Sequence, residues 1–174
     1  MKKVLISIQP KWCKLIAEDK KTIEVRKSRP NIETPFTCLI YCTKERLTKL
    51  TINMQSYLHV NEERVQKGHG KITTWSKIGD VLVNPTWNEY ISYGMHGKVI
   101  GEFTCDKTNI TTAEWVTQEE LKKLCLTQEQ LKNYSNKKAI YLWHISDLKI
   151  YDVPKSLSEF GLERPPQSWR YIEV

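Results

Sequence analysis

Lys21, Glu24 and Arg26 are the residues whose types and spacing could do chemistry together. They close the stretch Leu5 to Arg26, LISIQPKWCKLIAEDKKTIEVR. Thr22 to Lys27 reads as a short strand, and side chains two apart on a strand share a face. Thr22, Glu24 and Arg26 therefore point one way, and Ile23 and Val25 the other. A guanidinium suits phosphate because its fork is planar and bidentate. A carboxylate suits a base N–H, such as the exocyclic amine of cytosine or adenine. Lys21 would add a second phosphate contact or tune a proton transfer. On an exposed edge the same three residues would make an ordinary ion pair worth ~0–1 kcal/mol. We read them as the wall of a polar cleft.

Aromatic side chains could complete such a cleft. The chain has six Trp and eight Tyr. Trp12, Trp87, Tyr90, Trp143 and Trp169 could each stack on a base, a contact worth ~1–3 kcal/mol. For Trp12 and Trp143 a place in the core is the stronger expectation; Trp87, in a polar loop, is balanced between stacking and packing. The tail RPPQSWRYIEV is expected to fold back on the body, so that Ser168, Trp169 and Arg170 help to line the site. His144, inside an apolar strand, is expected in the core, and His96 is the better loop contact. No Ser-His-Asp order with recognisable context is present, and no glycine-rich phosphate loop.

The elements that must position these residues follow from pattern. Val4 to Ile8 is an apolar strand. Pro10 suits the first position of a helix, where its missing N–H costs nothing, and Trp12, Leu15 and Ile16 give that helix an apolar stripe to about Asp19. Phe36 to Thr43 is apolar on both faces and reads as a central strand. Residues 45–76 are the least patterned part and read as an insertion. Ile78-Gly79-Asp80 looks like a turn into a strand at Val81 to Val83. Lys98 to Cys105 is a strand in which Gly101 signals a bulge or close backbone approach. Thr117 to Cys125 and Thr127 to Tyr134 each open with a capping-box pattern. Ala139 to Ile145 and Leu148 to Val153 read as two more strands. Ser156 to Phe160 is one helical turn closed by Gly161. Strands do not alternate with long helices, which argues against a doubly wound sheet. The expectation is an α+β chain: a small mixed β-barrel with a helix between the first two strands and short peripheral helices.

Composition sets outer bounds. A length of 174 residues suits one domain. The net charge of +7 and a pI near 9.1 favour polyanionic partners. Five scattered cysteines without a C-x-x-C pair suggest free thiols and no metal. No apolar run approaches the ~20 residues of a membrane span, and no signal-peptide cleavage site follows the first apolar patch. These features lead us to expect a cytoplasmic protein with no cofactor.

Ser7-Ile8-Gln9-Pro10-Lys11-Trp12 followed by Lys20-Lys21-Thr22-Ile23-Glu24-Val25-Arg26 resembles the opening of ASCH domains, relatives of the PUA domain. That opening is a strand ending in proline, a helix, then G-x-K-x-x-E-x-R; here Asp19 or Lys20 stands where glycine is common. Ile78-Gly79-Asp80, Val99 to Phe103, and Trp143 to Leu148 through Pro165 to Trp169 are similar to later parts of bacterial and phage members. The resemblance leaves out about Leu47 to Trp75. It implies a PUA-like β-barrel with a cleft beside the first helix that binds RNA, single-stranded nucleic acid or a modified nucleoside. Some members are enzymes that deacylate N4-acetylcytidine or cleave RNA. Lys21 and Arg26 carry over by position, with Lys21 and Glu24 as the catalytic candidates if this chain is an enzyme. The amidohydrolase threonine falls at Glu24, so its hydroxyl is missing. The later glutamate of that subgroup could be Glu114, Glu119 or Glu120.

Overall fold

The computed structural model describes residues 2–44, 76–78, 81–83 and 95–173. The chain opens with β1 (Lys2–Ile8), then α1 (Pro10–Ala17), β2 (Ile23–Arg26) and β3 (Phe36–Cys42). Two short strands, β4 (Ser76–Ile78) and β5 (Val81–Val83), pair antiparallel. β6 (Lys98–Thr111), α2 (Gln118–Leu124), α3 (Gln128–Ser135), β7 (Ile140–Lys155) and β8 (Trp169–Glu173) follow. The class is mixed α+β, as expected. The insertion expected over 45–76 lies, except for Ser76, outside the described residues.

Six strands form one sheet in the order β2-β7-β6-β3-β1-β8. β1 and β3 run parallel, and the other neighbours are antiparallel. The barrel expected from the sequence is not closed by backbone pairing: β2 and β8 are opposite ends of the sheet. The sheet is irregular instead. Its long strands β6 and β7 change register at three places, and such irregularities bend a strand and increase its twist. One lies beside Gly101, where a Cβ would meet the Lys149 carbonyl. The bulge or close approach read from Gly101 is thus both at once. β7 also runs through the two strands expected at Ala139 to Ile145 and Leu148 to Val153. Asp147 takes a left-handed φ of 46° between them, so the chain bends without leaving the sheet.

Two apolar clusters flank β2 and explain its burial. Val4, Ile6 and Ile8 pack with Cys13 and Ile16 of α1 and with Cys38, Ile40, Phe103 and Trp143. Ile23 and Val25 instead face Leu121, Leu124 and Leu131, the apolar sides of α2 and α3, with Ile140 and Leu142. Each of these short helices begins with a complete capping box, at Thr117 and Thr127. A third cluster covers the outer face of the sheet, with Leu5, Leu39, Tyr41, Val99 and Ile172 under Leu157 and Phe160. Among the described residues, no helix is long and apolar enough to cross a membrane.

Candidate functional site

α1 is where the site begins. Pro10 starts it and Asp19 ends it in the left-handed conformation at φ 55°. Asp tolerates that conformation better than most residues. It occupies one of the two places where glycine is common in the resembling motif, and the backbone explains the preference. The turn redirects the chain so that Lys21 enters the protein and β2 sets out along β7. Glu24 pairs with Trp143 and Arg26 with Tyr141 across that ladder.

Glu24 and Arg26 project away from the α2–α3 cluster into a cleft of about 490 Å³ beside α1. It is lined by Ser7, Gln9, Lys11 and Trp12 from β1 and α1, by the largely buried Lys21, Glu24 and Arg26, and by Leu126, Gln130 and Tyr134 from α3 and the segment before it, with Thr43 and Gln167. The ion pairs are nearly dry. Side-chain exposure is 2% for Lys21, 7% for Glu24 and 11% for Arg26. β2 is an edge strand, but the exposed ion pair considered above does not describe these largely buried residues.

Arg26 Nε lies 3.1 Å from Glu24 Oε1. Its Nη2 donates to the Ser7 carbonyl at 2.6 Å, and Nη1 reaches Ser168 Oγ at 3.5 Å. Lys21 Nζ donates to the Leu124 carbonyl at 2.7 Å and sits 3.5 Å from Glu24 Oε2. The Arg26 Nε and Lys21 contacts with Glu24 are charge contacts rather than aligned hydrogen bonds. Glu24 Oε2 is buried and accepts no hydrogen bond among the described residues. Burial pushes the Lys21 ammonium below the ordinary lysine value, against the opposing pull of Glu24.

The structure thus brings Lys21, Glu24, Arg26 and Ser168 together, with Trp12 beside them. Trp12 is half-buried rather than a core residue, and its ring carries Lys11 Nζ at 4.4 Å and Lys21 Nζ at 5.2 Å from the centroid. Trp143 is fully buried, as expected. Two tail residues point elsewhere. Trp169 packs against Trp143 and Tyr171 and donates to Ser28 Oγ. Arg170 is exposed on β8 opposite Leu5. The two sit on opposite faces of β8, Trp169 turned onto Trp143 and Arg170 out to solvent, and neither lines the cleft. Trp87 and Tyr90 lie outside the described residues.

Several residues at the cleft escaped sequence reasoning, among them Ser7, Gln9, Lys11, Thr43, Leu126, Gln167 and the α3 pair Gln130 and Tyr134. The α3 pair carried a usable signal, since polar and aromatic residues four apart share a helix face. Glu114, in the turn at 113–115, and Glu119 and Glu120, on α2, are exposed or half-buried, and none lines the cleft. Thr22 does not line it either; its backbone pairs with Lys123 and Ile145. All five cysteines are free thiols, with Cys125 alone half-buried. Among the described residues, no group of three or more His, Cys, Asp or Glu side chains is placed to hold a metal.

No family model matches the sequence, and no curated protein matches it. Solved structures do. The ASCH protein from Zymomonas mobilis superposes with a TM-score of 0.61 at 15% identity, covering 98% of this chain and 87% of that one. A Tyr-to-Phe mutant of the same protein gives 0.62 at 15% identity, covering 98% and 90%. A Ser-to-Ala mutant gives 0.61 at 15% identity, covering 98% and 88%. The chain has an ASCH-type fold.

Proposed function

We propose that this chain binds RNA or a modified nucleotide, holding one base in the cleft between α1 and α3. The observation that carries the reading is Glu24 Oε2, a buried carboxylate oxygen at the cleft with no aligned donor among the described residues. An ionised carboxylate can only accept, and base edges supply N–H donors. The cleft volume of about 490 Å³ lies in the usual range for small-ligand sites. Arg26 is occupied by Ser7, Ser168 and Glu24, so in this reading it positions the carboxylate rather than gripping phosphate. Lys11, exposed at the cleft with its ammonium over the Trp12 ring, supplies a cation for phosphate. The six-stranded sheet would serve as the PUA-like barrel despite its unpaired ends. Ligand titration of the wild-type protein and Glu24→Gln at low salt tests the reading; equal affinities would refute it.

One observation favours a second reading, a nucleic-acid-processing hydrolase such as a ribonuclease or an N4-acylcytidine amidohydrolase. Lys21 is a buried amine that loses its proton more easily than an ordinary lysine and sits beside a carboxylate, which suits proton transfer. Turnover of RNA or acylated nucleosides, abolished in Lys21→Met, would establish it. No turnover of either substrate would leave the binding reading alone.

A further inference from the structure

A second concavity, of about 460 Å³, opens between α2 and α3. It shares Leu126 and Gln130 with the cleft, so these two residues form the divide between them. Leu126 makes the divide apolar and half-buried. Gln130 makes it a donor. Its Oε1 accepts the Thr127 N–H at 2.9 Å, and its own backbone N–H is taken by Thr127 Oγ1 at 3.2 Å. The amide NH₂ sits on the other side of the same carbon, so the capping bond turns it away from the backbone. The charge on the walls has one sign apart from a single residue. Among the described residues, Glu24 is the one carboxylate lining either concavity, against Lys11, Lys21 and Arg26 in the cleft and Lys122 in the groove.

We infer that a single-stranded RNA crosses this divide, with one base at Glu24, the next nucleotide in the α2–α3 groove, and the phosphate between them at the Gln130 NH₂. This rests on the nucleotide-binding reading above and extends it from a single nucleotide to a strand. Lys122, exposed on the groove wall, neutralises the following phosphate. The groove offers amides and aliphatic carbon but no buried charge, so it takes any base, while the cleft does the selecting. A free nucleoside fills only half of the site. A second nucleotide adds contact area and the phosphate, and strand binding of this kind is sequence-tolerant and salt-sensitive.

The test compares common ribonucleosides with the dinucleoside monophosphates and tetranucleotides built from them, by calorimetry on the full chain. Three variants serve. Gln130→Glu keeps the capping acceptor, as Glu120 does on α2, and replaces the NH₂ with oxygen. Lys122→Glu reverses the groove charge, and Glu24→Gln reports on the cleft. The expected result is dinucleotide affinity about tenfold or more above nucleoside affinity. Gln130→Glu should remove that gain. Lys122→Glu should weaken the tetranucleotide, lower its salt slope by about one, and leave nucleoside affinity unchanged. Equal nucleoside and dinucleotide affinity, with Lys122→Glu silent and Glu24→Gln weakening both, overturns the strand while the cleft reading stands. A Glu24→Gln variant that binds every ligand normally overturns the cleft reading, and the strand with it.

Discussion

Arg26 Nη2 donates to the Ser7 carbonyl at 2.6 Å, tying the first strand of the sheet order, β2, to the fifth, β1. No backbone ladder joins these strands among the described residues. The same guanidinium reaches Ser168, just ahead of β8 at the far edge. A side chain therefore draws together the two ends of a sheet that main-chain pairing leaves open. Only a planar fork can serve Glu24, Ser7 and Ser168 at once.

Arg26→Ala should accordingly cost stability as well as ligand. It removes one partner of a nearly dry ion pair and leaves the Ser7 carbonyl without its donor. Breaking such a pair costs ~3–5 kcal/mol. For a chain of this size that amounts to a Tm loss of about 6–20 °C. Arg26→Lys should recover less than half of it, because an ammonium cannot fork. Urea unfolding of the three proteins decides the matter, and an Arg26→Lys variant as stable as wild type would count against the closure.

Glu24→Gln keeps the shape and removes the charge. If the carboxylate reads a base N–H, affinity should fall about tenfold to a hundredfold, the value of a hydrogen bond to a charged group. Stability should also drop, since Lys21 and Arg26 lose their shared counter-ion. Calorimetry with ligand and thermal unfolding without it separate the two effects.

Lys21 makes a prediction about pH. Burial lowers its value in the folded chain below the ordinary 10.5. Between the folded value and 10.5 the unfolded chain binds the extra proton, so stability from this group rises with pH across that window. Below the folded value both states hold the proton and the contribution is constant. The unfolding free energy of wild type minus that of Lys21→Met should therefore climb as pH rises toward 10.5. A difference that stays flat over the alkaline range would contradict the burial of a charged amine.

Gly101→Ala tests the bend in the sheet. The new methyl would meet the Lys149 carbonyl and lie 3.1 Å from Ile150 Cδ1. Overpacking of this kind costs ~1–3 kcal/mol. The variant should unfold at lower urea, and because β6 carries both halves of the sheet, it should also weaken ligand binding at the distant cleft.

The sequence made the common face of Glu24 and Arg26 legible, because a period of two is local and Ile23 and Val25 mark the opposite face. The helix after Pro10 was equally plain, though Cys13 rather than Leu15 joins Ile16 in the core. What pattern could not show was distance in the chain. Ser7 and Ser168 meet Arg26 only through the sheet order, and Tyr134 reaches the cleft only because Leu131 buries one side of α3. Strand ends were blurred for a related reason. β6 runs on from Cys105 to Thr111 through polar residues, which are held by their pairing with the first half of β7 rather than by their own burial.

Residue 2 lies opposite residue 173 in the β1–β8 ladder, and the Ser7 N–H is taken by the Ser168 carbonyl. This places a time order on assembly. During synthesis β1 and α1 emerge well before β8, yet β1 keeps a bare edge, and Arg26 lacks its Ser168 contact, until residues 165–173 have left the ribosome. Closing contacts that span nearly the whole chain are slow to form. The Gln167 part of the cleft and the Arg26–Ser168 contact are thus the last features of the site to form, after its other walls have left the ribosome.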